Sequence, residues 1–114
     1  MALIYYHNPR CSKSRQGLDL LQQHAVTIRY YLKDPLSELE LDTLLSKLVD
    51  PIPAIIRQSD VVRLGISVVD TSLPAIRSLL LAHPSLLQRP ILETTDRAII
   101  GRPPERLLEI LTTM

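Results

Sequence analysis

Cys11 is the sole cysteine of the chain and lies in the stretch His7-Asn8-Pro9-Arg10-Cys11-Ser12-Lys13-Ser14-Arg15. A cysteine does chemistry as thiolate, so what matters is whether its surroundings favour the anion. Arg10, Lys13 and Arg15 flank it, and the first acid in the chain is Asp19. A helix beginning at Ser12 would aim its positive end at the sulfur, which also favours the thiolate. The same backbone N–H groups suit a tetrahedral oxyanion. The chemistry to expect is nucleophilic attack by Cys11 on an anionic centre held at a helix N-terminus.

Two neighbours bear on that thiol. His7 either lowers its pKa, as a hydrogen-bond partner or a cation, or is a strand-end histidine held by the backbone. Ser14 stands where the second thiol of a Cys-x-x-Cys pair would be. A lone thiol in that pattern can form a mixed disulfide but needs an outside thiol to resolve it. A metal site is a poor fit, because one cysteine would have to combine with the scattered His7, His24 and His83. Arg89 precedes Pro90, and Arg102 lies between Gly101 and Pro103. Both sit at junctions between predicted elements, where function concentrates, although a surface charge is the commoner fate of any single arginine.

Composition narrows the field. At 114 residues, one domain with one modest core is expected over 1–114. The chain is 46% hydrophobic and 22% charged, so it should fold as a globular protein. No apolar run approaches the roughly 18 residues of a membrane span. No secretory signal is read at the N-terminus. A net charge of +1, with no Trp and no Phe, argues against a nucleic-acid surface. A single cysteine is consistent with a cytoplasmic protein. No long apolar stripe is left over, so a monomer is expected.

The elements that must position Cys11 follow from periodicity. Leu3 to Tyr6 reads as a buried strand, and Asn8-Pro9 ends it. A helix is predicted from Ser12 to about His24, with Leu18, Leu21 and Ala25 inward and Leu20 widening the stripe. Alternation from Val26 to Leu32 predicts a second strand, so the first three elements form a βαβ unit with parallel strands. Residues 34–88 read as a run of short helices. Ser37 and Glu40 make a capping box for one with Leu41, Leu44, Leu45 and Leu48 inward. Asp60 is read as the cap of another, ending at Gly65. A third follows Ser72, with Ile76, Leu79, Leu80 and His83 on one face. Ile91 to Thr94 and Ala98 to Ile100 then form a hairpin, and Pro103-Pro104 opens a last helix through Leu107, Leu108 and Leu111. The order βαβ, helices, ββα predicts an α/β protein of thioredoxin-like fold: a four-stranded mixed sheet with a helical insertion at about 34–88. In that fold Arg89-Pro90 approaches Cys11, and its peptide bond is a candidate for cis.

The chain resembles the glutaredoxin-coupled arsenate reductases, in particular their small arsenate-reductase-like members. The resemblance spans nearly the whole chain. It rests on Tyr6-His7-Asn8-Pro9-Arg10-Cys11-Ser12-Lys13-Ser14-Arg15, on Arg57 after Ile55-Ile56, on Arg89-Pro90-Ile91, and on Ile100-Gly101-Arg102-Pro103-Pro104-Glu105. It implies a catalytic Cys11, with His7 and Ser14 serving the thiolate and Arg57, Arg89 and Arg102 around an oxyanion. It also implies arsenate or a similar oxyanion as substrate, no bound cofactor, glutathione as co-substrate and glutaredoxin as the protein that closes the cycle. Two alternatives stand beside it. One is a non-enzymatic regulator of this fold that binds RNA polymerase. The other is a thiol oxidoreductase acting on another oxyanion or a glutathionylated substrate.

Overall fold

The computed structural model describes residues 2–67 and 70–112. Its centre is a sheet of four short strands: β1 (Ile4–Tyr6), β2 (Thr27–Arg29), β3 (Ile91–Glu93) and β4 (Ala98–Ile100), in the order β2-β1-β3-β4. β1 runs parallel to β2 and antiparallel to β3, which pairs antiparallel with β4. The mixed sheet and the βαβ…ββα order are as the hydrophobic pattern predicts.

Alternation along the strands separates two cores. Tyr5, Leu92 and Ile99 face one side, where they meet Leu21, Leu107 and Ile110. Tyr6, Ile91 and Ile100 face the other, where they meet the inserted helices. Successive strand residues point to opposite faces, and here both faces are covered, so β3 and β4 are buried throughout.

The insertion carries helices α2 (Glu38–Lys47), α3 (Gln58–Leu64) and α4 (Leu73–Ala82), with one short 3₁₀ segment after α2 and another after α4. The capping box of α2 is formed: the Glu40 N–H donates to Ser37 Oγ at 3.2 Å, and the Ser37 N–H donates to Glu40 Oε1 at 2.8 Å. Leu41, Leu44 and Leu45 are buried as predicted. Polar contacts fasten this layer to the sheet. Lys47 Nζ reaches the buried Glu93 at 2.9 Å, and Glu93 also accepts from the Tyr6 hydroxyl.

Three local expectations need correction. Helix α1 spans Ser12–Leu20, not as far as His24, and Ala25 is exposed. Leu21 is buried and Leu18 packs against the same core, as predicted, but Leu20 is exposed. Within the helix the fully buried positions are Ser14 and Gly17, the latter because the Tyr5 hydroxyl and Leu107 leave no room for a side chain. β2 stops at Arg29, and Tyr31 is buried in the loop that follows. Asp60 is not a cap: Arg57 occupies the N-cap of α3, and Asp60 lies inside the helix. The chain ends with a 3₁₀ turn, Pro104–Leu108, leading into α5 (Glu109–Thr112). Among the described residues, no helix is long and apolar enough to cross a membrane.

Candidate active site

Cys11 is the N-cap of α1, with extended backbone at φ −92° and ψ 121°. Two loop bonds fix this conformation: the Cys11 N–H donates to the Asn8 carbonyl, and the Arg15 N–H donates to the Cys11 carbonyl, both at 3.0 Å. Arg15 closes the loop from outside by donating to the Pro9 carbonyl at 2.9 Å. From the N-cap the sulfur faces the N–H groups of Lys13 and Ser14, which have no intrahelical acceptors.

Burial pushes the Cys11 thiol up. The Ser14 N–H, the Arg89 side chain, the charge of Arg102 and the Lys13 N–H pull it down, and together they prevail, so the thiol lies below its ordinary value. After the Ser14 N–H, the guanidiniums that contribute are not the flanking Arg10 and Arg15 that the local sequence points to. They arrive from the other end of the chain, on the connections into β3 and out of β4. Both connections carry a cis peptide, Arg89-Pro90 and Arg102-Pro103. The first matches expectation.

Arg102 Nη2 lies 3.6 Å from Cys11 Sγ, while its Nε donates to the Arg89 carbonyl at 2.8 Å. Arg89 is buried. Its Nη1 donates to Asp60 at 3.1 Å and to the Ser85 carbonyl at 3.2 Å, and its Nε is buried without a partner. Arg57 donates through Nη1 to Ser59 and to Asp60, the latter at 3.0 Å. The structure therefore brings Arg89 and Arg102 to the thiol. Arg57 joins them through Asp60 rather than by contact with the sulfur.

His7 and Ser14 are both buried, and His7 Nδ1 lies 2.7 Å from Ser14 Oγ. Ser14 Oγ also accepts from the Asn8 N–H at 3.0 Å. Burial, and then the charge of Arg15, lowers the pKa of His7, so the ring is neutral at neutral pH and is not the cation that the sequence left open. Its partner is the Ser14 hydroxyl. Ser14 acts on Cys11 through its backbone N–H, while its side chain braces the loop.

Sequence reasoning missed two residues of this site. Asp60, 6% exposed, accepts from Arg57 and Arg89 on Oδ2 and from Arg63 on Oδ1. The spacing of Arg57, Asp60 and Arg63 at three-residue intervals was the available signal. Tyr31 is fully buried, and its hydroxyl has no aligned partner, although Asn8 and Arg89 lie close by. No sequence signal marked it. An open groove of about 540 Å³ runs beside the Cys11 loop, lined by His7 to Arg10, by Tyr30, Leu32 and Lys33, and by Asp60, Arg63, Ser85 and Arg89. Among the described residues, no three His, Cys, Asp or Glu side chains cluster as metal ligands would.

The arrangement sets a thiol of lowered pKa beside fixed cationic donors, a geometry suited to attack on a tetrahedral anion. Comparison with known proteins points the same way. A model of the ArsC family matches residues 6–110. An arsenate reductase of Haemophilus influenzae is 39% identical, over 97% of this chain and 100% of its own. The uncharacterized protein YfgD of Escherichia coli is 38% identical over 93% of each. The solved structure of an arsenate reductase from Vibrio cholerae matches with a TM-score of 0.78 and 37% identity, over 96% of this chain and 98% of that one.

Proposed function

The chain belongs to the ArsC family, and from that premise we propose that it reduces arsenate to arsenite through a covalent adduct on Cys11. One observation carries the reading: Arg89 and Arg102 converge on a thiol whose pKa is lowered, at the N-terminus of a helix. Arsenate at neutral pH is a tetrahedral anion, present as both monoanion and dianion, and guanidinium forks match its oxygens.

In the first step the Cys11 thiolate attacks arsenic. An S–As bond forms, one oxygen leaves as water after taking up protons, and arsenic stays at +5. In the second step a glutathione thiolate attacks the Cys11 sulfur. An S–S bond forms as the S–As bond breaks, and its electron pair passes to arsenic. Arsenic falls to +3 and leaves as arsenite, while two thiols become one mixed disulfide. In the third step a glutaredoxin thiolate attacks the glutathione sulfur and releases Cys11 as thiolate. The outside thiol is needed because Ser14 supplies none. The arginines hold charge in place while it moves from oxygen to arsenic to sulfur, without reorganising. The protein works in this scheme as a monomer in the cytoplasm, where thiols stay reduced.

The test is arsenate-dependent NADPH oxidation with glutathione, glutaredoxin and glutathione reductase. The wild-type chain should turn over, and Cys11→Ser should be inactive. Full activity in the Ser variant would sink the proposal.

A further inference from the structure

Four arginines crowd one corner of the molecule. Arg57 and Arg63 bracket the start and end of α3, Arg89 is buried at the approach to β3, and Arg102 meets Cys11. Like charges brought together repel, and the buried Arg89 has little water to screen it, whereas Arg57 and Arg63 keep 28% and 60% of their side chains exposed. Asp60 is the one acid among the residues lining the groove beside Arg63 and Arg89. Its Oδ2 accepts from Arg57 Nη1 at 3.0 Å and from Arg89 Nη1 at 3.1 Å, and its Oδ1 accepts from Arg63 Nε at 3.1 Å. We propose that Asp60 is a positioning residue: its buried carboxylate gathers Arg57 and Arg89 onto one oxygen and holds Arg89 against the Cys11 thiol. The proposal rests on the arsenate-reduction reading for what the arginines bind, but not for how they are held.

The hydrogen bonds apportion the work. Backbone pairing brings the two arginine segments side by side: the Arg57 N–H donates to the Leu86 carbonyl, and the Gln88 N–H to the Ile55 carbonyl, each at 2.7 Å. That fixes the Cα positions and leaves the long side chains free. Asp60 then takes one terminal nitrogen from each. Arg89 keeps its buried Nε unpartnered. A buried donor without an acceptor is costly unless an anion meets it, so the unspent edge of Arg89 is where an oxyanion oxygen gains most. Asp60 anchors one side of the fork and leaves another for substrate.

A carboxylate that merely offset positive charge would behave in the opposite way. Its removal would strengthen anion binding and deepen the thiolate. Removal of a positioning carboxylate instead lets Arg57 and Arg89 spread apart, which weakens both. The sign of the change separates the two roles.

Asp60→Asn keeps the shape and removes the charge. The KM for arsenate should rise about tenfold, with kcat changing less, because a ground-state contact is lost. The midpoint of Cys11 alkylation by iodoacetamide against pH should move upward, because Arg89 no longer bears on the sulfur. Any other pattern in an Asp60→Asn or Asp60→Ser variant with a near-native melting temperature overturns the proposal. The alkylation readout needs no arsenate, so a chain that failed to reduce arsenate would still decide the role of Asp60. If neither variant folds, NMR of the wild-type protein decides. The Arg89 side-chain nitrogen shifts should follow protonation of the Asp60 carboxyl, and Arg89 shifts unmoved by it overturn the proposal.

Discussion

Arg102 and Cys11 lie 91 residues apart in sequence, yet Arg102 Nη2 is 3.6 Å from the Cys11 sulfur. The guanidinium cannot drift from that position freely, because its Nε is bonded to the Arg89 carbonyl at 2.8 Å. One side chain thus ties the exit of β4 to the approach of β3 and presents its far edge to the thiol. Arg102→Gln would lose both the charge and the far edge. We expect kcat/KM for arsenate to fall about 10²-fold, the scale of losing one preorganised donor. Arg102→Lys, which keeps the charge without the fork, should fall in between. Steady-state kinetics in the glutaredoxin-coupled assay check this. A Gln variant with wild-type kcat/KM would make Arg102 a bystander.

The lowered pKa of Cys11 has a consequence for stability as well as for reactivity. In the unfolded chain the thiol titrates near its ordinary value, and in the folded chain it titrates lower. Between those two points the unfolded state binds the extra proton, so stability rises with pH across that window. The contribution is fully present above the unfolded value and vanishes as pH falls through the folded one. Urea denaturation of the wild-type protein and of Cys11→Ser across this range tests it. The wild-type advantage should grow as pH rises toward the ordinary thiol value, and a difference flat with pH contradicts the linkage.

Local patterns in the sequence predicted what local physics controls. Ser37 and Glu40 form their capping box wherever the helix docks, and Leu41, Leu44 and Leu45 share a face by helical period alone. Cys11 was legible for the same reason, since a lone cysteine before a helix is a local feature. The misses are non-local. Asp60 fits the pattern of a cap when read with its neighbours, and its use comes from Arg89, 29 residues on. The alternation at Tyr30 to Leu32 imitates a strand, but Tyr31 is buried by the inserted helices rather than by sheet pairing. Arg10 and Lys13 looked like the cations of the site because they adjoin Cys11. Spacing shows only what is near in sequence, and without the resemblance Arg57 would have stayed a surface charge.

Gly17 is a point of close packing between α1 and the rest of the molecule. A methyl there would overlap the Tyr5 hydroxyl and come within 2.7 Å of Leu107 Cδ1. The Tyr5 hydroxyl donates to the Ser14 carbonyl at 2.6 Å, so it cannot move without losing a buried bond. Alanine would gain about 1 kcal/mol in helix propensity. The overlap costs about 1–3 kcal/mol, and the strained hydrogen bond adds about 1 kcal/mol. Packing should therefore win, with Gly17→Ala less stable by about 1–3 kcal/mol in urea denaturation. A more stable variant would show that α1 shifts outward at little cost.

Ser14 separates bracing from activation. Its hydroxyl joins the His7 ring and the Asn8 N–H inside the loop, while its N–H faces the Cys11 sulfur. Ser14→Ala would delete the hydroxyl and keep the N–H. The Asn8 N–H and His7 Nδ1 would then be buried without their partner, at about 1–3 kcal/mol of stability. Because His7 titrates below its ordinary value, it is neutral above that range, and the loss should be nearly constant from neutral to alkaline pH. The alkylation midpoint of Cys11 should move far less than in Arg102→Gln. Urea denaturation and iodoacetamide kinetics on the same two variants test both statements. If Ser14→Ala shifts the midpoint as much as Arg102→Gln, the hydroxyl itself acts on the thiolate, and side chain and backbone of Ser14 do not divide the two tasks.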